Sequence, residues 1–124
     1  MSATTQDDHA KAGQLYAALW ALRLLATSEG RPPEPTGLLS KDVPRNTVAK
    51  ELMSLPEHLL RARKLTPDRW SAAVEVYQEI PQLLPVPELP GATMSPREQR
   101  LFADAYDERL KAYRSKYAKL LPAQ

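Results

Sequence analysis

A chain of 124 residues without a single cysteine holds no disulfide framework and no thiol chemistry, and it is long enough to bury one core without covalent staples. Hydrophobic residues make up 43% of it, enough for one domain over residues 1–124 with residues 1–5 frayed. Seventeen Lys and Arg against 15 Asp and Glu leave a net charge of +2, an excess too small to mark a nucleic-acid binder by itself.

The polar, acidic start MSATTQDDHAKAG is the reverse of a basic signal-peptide opening. It leads into Leu15–Ala26, LYAALWALRLLA, with eleven apolar residues and one charge, Arg23. This run is shorter than the roughly 20 residues that span a bilayer, so the expected location is the cytoplasm and no membrane partner is expected. As a helix beginning near Thr5 to Asp8 and ending by Gly30, it places Leu15, Ala18, Leu19, Leu22, Leu25 and Ala26 on one face and Tyr16, Trp20 and Leu24 on the other. A helix apolar nearly all round is buried on more than one side. The Leu face can be covered by the rest of a small domain. The Tyr16, Trp20 and Leu24 face predicts a second helix layer or a second copy, which makes it the expected interface of a homodimer or a partner protein. The plainer alternative is the central helix of a monomeric bundle.

Arg31–Gly37 carries three prolines in four positions and cannot continue a helix. Its Pro32 to Pro35 spacing reads as a spacer rather than a polyproline ligand. A short helix is expected from Val43 or Asn46 to Met53, capped by Asp42 or Asn46, with Val48, Ala49, Leu52 and Met53 as its apolar edge. Ser54-Leu55-Pro56-Glu57 matches a capping box, so the next helix starts at Leu55 and turns Leu55, Leu59, Leu60 and Leu65 inward. Its end carries Arg61, Arg63 and Lys64, where cations suit the helix dipole. Thr66-Pro67-Asp68 opens another helix, ending before Pro81, with Trp70, Ala73, Val74 and Tyr77 as its stripe. The second proline loop, Pro81–Gly91, is studded with Leu83, Leu84, Val86 and Leu89 and reads as a strap across the core.

Ser95-Pro96-Arg97-Glu98 is a second capping box, opening a last helix from Pro96 to about Leu120. Phe102, Tyr106, Leu110, Tyr113, Tyr117 and Leu120 form its apolar stripe, which is expected to lie lengthwise on the first helix. Arg100, Asp104, Asp107, Glu108, Lys111 and Arg114 fill the opposite, solvated face. These elements predict an all-α, compact helical bundle of about five helices: two long ones at the termini, short central ones, and two proline-rich loops.

Chemistry is sparse. The two histidines, His9 in a polar N-terminus open to fraying and His58 in a first helical turn, show no metal-ligand spacing. Asp104, Asp107 and Glu108 share a face with cations at i±3 and i±4, which reads as surface ion pairing. No phosphate-cradling glycine loop or nucleophile elbow occurs. No enzyme, cofactor, metal or small-molecule substrate is therefore expected. The expected function is a protein–protein interaction module: an adaptor, inhibitor, chaperone or assembly subunit. The alternative is a nucleic-acid accessory protein using Arg61, Arg63 and Lys64 together with Arg109, Lys111, Arg114, Lys116 and Lys119. Residues 46–64 have a helix-turn-helix outline, but the turn glycine is missing and the cations sit at the wrong end of the second helix. The content of Ala, Leu, Arg and Pro fits a GC-rich bacterial or phage genome.

Overall fold

The computed structural model describes residues 4–27, 48, 51–83 and 95–120, with side chains of the first helix described from 9 to 26. The chain is all-α, with five helices among the described residues. They are α1, Thr4–Thr27; α2, of which 48 and 51–53 are described; α3, Leu55–Lys64; α4, Pro67–Leu83; and α5, Pro96–Lys116. The expected end of α1 at Gly30, the Pro32–Pro35 spacer, the caps of α2 at Asp42 or Asn46, and the strap residues Leu84, Val86 and Leu89 lie outside the described residues.

Helix α1 is the axis of the bundle. Its main partner is α5, which runs parallel to it: His9 Nδ1 lies 3.8 Å from Glu98 Oε2, and the Tyr16 ring stands 5.9 Å from Phe102 and 5.5 Å from Tyr106. Gly13 is where the two backbones close up. A Cβ there would overlap the Phe102 carbonyl oxygen and lie 3.1 Å from its carbonyl carbon, so only glycine permits this separation. His9, expected in a fraying terminus, is instead buried at this seam.

Helix α4 runs the other way. At its start Arg69 Nη1 donates to the carbonyls of Leu24 at 3.3 Å and Leu25 at 2.8 Å, two of the acceptors that the last turn of α1 leaves without intrahelical donors. Its fold is opened as expected by Thr66, whose hydroxyl accepts from the Arg69 amide at 3.2 Å. It does not stop before Pro81 but continues to Leu83. An interior proline costs roughly 3 kcal/mol. Here it sits in the final turn, and Ile80 and Leu83 on either side are buried in the core.

The buried face of α4 also differs from the expected stripe. Ala72, Ala73, Val76, Ile80 and Leu83 face inward, while Tyr77 is exposed. At about 100° per residue this face lies roughly 100° around the helix from Trp70, Ala73, Val74 and Tyr77. The buried set is itself an apolar stripe, Ala72, Val76, Ile80 and Leu83 at i, i+4, i+8 and i+11, and turning it inward leaves Glu75 and Glu79 to meet α5.

Helix α5 carries Phe102, Tyr106, Leu110, Tyr113 and Tyr117 into the core as its spacing requires. Its capping box is complete, with Glu98 N donating to Ser95 Oγ at 3.2 Å and Ser95 N to Glu98 Oε1 at 2.9 Å. That second bond leads the causes that hold the Glu98 carboxyl below its usual range. The helix ends at Lys116, a turn short of Leu120, and residues 117–120 form turns.

The box at Ser54 does not form. Ser54 has φ −88° and ψ −4°, whereas a capping serine needs an extended backbone to swing its hydroxyl over the next amides. The chain stays right-handed through Ser54, whose carbonyl accepts from the His58 amide at 3.1 Å. Helices α2 and α3 therefore follow one another with hardly a break. Glu57, freed from capping, takes Arg61 Nη2 at 3.3 Å.

Candidate interaction surface

The face expected to need outside cover is covered from within. Tyr16 and Trp20 are each 8% exposed and Leu24 1%. The α5 rings shelter Tyr16, and the Arg23 guanidinium lies 4.6 Å above the Trp20 ring. Arg23 is held there by Glu51 Oε1 of α2 at 3.0 Å. The expectation of an interface at Tyr16, Trp20 and Leu24 is thus corrected. These residues are core, because α3, α4 and α5 pack on α1 and Glu51 of α2 reaches Arg23, and the argument for a dimer drawn from this face goes with it.

The α4–α5 seam is bound by charge. Arg109 Nε donates to the Tyr113 hydroxyl at 3.1 Å, its Nη2 pairs with Glu79 Oε1, and the Tyr113 hydroxyl donates to the same oxygen at 2.9 Å. Burial pushes the Tyr113 phenol up to about 12, so it keeps its proton as a donor. One turn on, Lys116 Nζ sits 3.0 Å from Glu75 Oε1, which also accepts from Tyr117 at 3.4 Å. The hydrogen bond from Lys116 is the leading reason that the Glu75 carboxyl lies below its ordinary range. A groove of about 330 Å³ runs beside this seam, lined in part by Gln14, Glu79, Glu108 and Arg109. Of its charged lining, Glu79 and Arg109 are paired with each other and Lys116 with Glu75, contacts that join α4 to α5.

These contacts decide what the basic residues can do. Of the eight expected to touch nucleic acid, four are paired with carboxylates: Arg61 with Glu57, Arg109 with Glu79, Lys111 with Asp107 at 3.0 Å, and Lys116 with Glu75. Arg114 Nε is buried without a hydrogen-bond partner among the described residues. Arg63, Lys64 and Lys119 are exposed. Asp68, at the start of α4, lines a cavity with Ser115–Leu120. Among the described residues no three His, Asp or Glu side chains group so as to hold a metal ion.

The large apolar side chains left in water mark another place. Met53 is 83% exposed and Leu60 60%, and Leu65 and Tyr77 are also exposed. The sequence pattern places Met53, Leu60 and Leu65 inward, and the structure does not. In α3 Leu55 and Leu59 face inward as expected, joined by His58 and Ala62 in the i, i+3, i+4, i+7 set. Leu60 lies about 140° from Leu55 and cannot join them. Met53, Pro56 and Leu60 line up at i, i+3 and i+7 on the outer side, with Lys64 one turn beyond. The signal was present in the sequence as two apolar residues out of register with the Leu55, Leu59, Ala62 stripe. Beneath the ridge, His58 has both ring nitrogens buried without a partner among the described residues, and burial is the chief cause that lowers its pKa. No family model, no curated protein and no solved structure matches this chain.

Proposed function

We propose that this protein is a non-enzymatic helical interaction module that docks on a partner protein through the outer edge of α2 and α3. The observation that carries the reading is the ridge of Met53 and Leu60, exposed at 83% and 60% while most of the large apolar side chains among the described residues are withdrawn. Apolar anchors at i, i+3 and i+7 are how a helix is read by a complementary surface. Support for a non-catalytic role comes from Glu79, Arg109, Tyr113, Glu75 and Lys116 at the α4–α5 seam, which are paired with one another across the helices. Among the described residues no helix is long and apolar enough to cross a membrane, and we place the module in the cytoplasm of a bacterial or phage-infected cell. The test is affinity capture from host extract with the wild type and with Met53→Asp/Leu60→Asp, both sites being exposed enough to leave the fold intact. A protein held by the wild type and lost with the variant is expected. Identical captures would refute the reading.

Nucleic-acid binding is the second reading, favoured by the exposure of Arg63, Lys64 and Lys119. Phosphate contacts would make affinity fall steeply with salt. A gel shift with duplex and single-stranded DNA and RNA at low salt separates the two, since the docking ridge predicts none.

A further inference from the structure

We infer that the partner offers an apolar cleft rimmed by carboxylates, and that α2 and α3 enter it as the inserted helix. The inference rests on the docking ridge proposed above and adds the chemistry of what receives it. Three features of the ridge select this occupant. First, it is convex and one residue wide: Met53, Pro56 and Leu60 stand in line with Lys64, and Glu57 and Arg63 flank them. Such a line fits a cleft, whereas a helix lying on a bilayer buries a broad apolar face. Second, the C-terminal half of the ridge is positive. Arg63 and Lys64 are exposed and have no carboxylate within pairing distance among the described residues, and Glu57, the acid within α3, is engaged with Arg61 at 3.3 Å. Third, a second copy fits poorly. Bringing two such ridges together sets six cations against two carboxylates in a patch only as long as a ten-residue helix, whereas a rim of Asp and Glu answers the positive charge and suppresses wrong pairings.

The experiment uses the protein recovered in the capture above, purified and titrated against the full chain. Arg63→Glu/Lys64→Glu, at exposed sites outside the core, is expected to weaken binding at least tenfold and to remove most of its dependence on salt. Carbodiimide, which joins amines directly to carboxylates, is expected to link Lys64 to an Asp or Glu of the partner. Circular dichroism melts confirm that both double variants stay folded. If the captured protein depends on Met53 and Leu60 but binds the charge-reversed variant unchanged, the acidic rim is refuted and the docking ridge stands. If no captured protein depends on Met53 and Leu60, both fall. A Lys64 to Glu57 link between two copies, with concentration-dependent sedimentation, would overturn the inference in favour of a homodimer. Sedimentation with phosphatidylcholine/phosphatidylserine vesicles that Met53→Asp/Leu60→Asp abolishes would overturn it in favour of a membrane surface.

Discussion

Replacing Gly13 by alanine tests the packing of α1 on α5 at its tightest point. In a solvent-exposed helix the change stabilises by about 1 kcal/mol, because alanine loses less backbone entropy. At Gly13 the added Cβ would run into the Phe102 carbonyl oxygen and lie 3.1 and 3.2 Å from the carbonyl carbon and Cα of the same residue. All three are backbone atoms, so no rotamer change relieves the overlap and the helices must part. A gap of 0.5–1 Å forfeits roughly a quarter to a half of the dispersion well for each contact along the seam, including those of Tyr16 with Phe102 and Tyr106. Overpacking of this kind costs about 1–3 kcal/mol and sometimes more. With no flexible group to yield, the upper end applies, for a net loss of about 2 kcal/mol after the propensity gain. For a chain of this length that is a fall in Tm on the order of 6–12 °C. Urea unfolding followed by the fluorescence of Trp20 and Trp70 measures it. A Gly13→Ala protein as stable as the wild type or more so would refute the close approach of the two backbones.

Trp20→Asp places a charge where the indole is nearly enclosed. Removal of a buried Trp alone costs about 3–5 kcal/mol, and an unpaired buried carboxylate adds to it, so cooperative unfolding is expected to vanish while the wild type sediments as before. A Trp20→Asp variant that still melts cooperatively would show that this face is not core. His58 sets a pH dependence. Its folded pKa lies below the ordinary value of 6.5, first through burial, so the unfolded chain takes up the proton more readily. Stability is therefore full above about pH 7 and declines as the pH falls through 6.5 toward the depressed folded value. Urea melts between pH 7.5 and 5 are expected to show this slope in the wild type and to lose it in His58→Gln; an unchanged slope in the variant assigns it to another group.

Much of the bundle is written in local pattern. The stripe from Phe102 to Tyr117 and the box at Ser95 and Glu98 were legible because each depends on residues within a turn or two of one another, where spacing along the chain equals spacing on the helix. Thr66 was legible as a cap for the same reason. The misjudged features all turn on which neighbour is present. Ser54 has the residues of a capping box, but the run on from α2 holds its backbone in the wrong conformation. Trp70, Val74 and Tyr77 form a plausible stripe, but Ala72, Val76, Ile80 and Leu83 form a longer one, and that is the face α4 buries.

The amino-acid order alone determined that this is a helical protein, where most of its helices begin, and that α1 is sheltered on more than one side, since an apolar perimeter has to leave water whatever the partner. Only the tertiary structure decided that the shelter is the chain itself. Coverage of a face depends on residues distant in sequence, here Glu51 holding Arg23 over Trp20 and the α5 rings closing on Tyr16. The same packing left Met53 and Leu60 outside, because α3 has room inward for one face only, and Leu55, Leu59 and Ala62 occupy it.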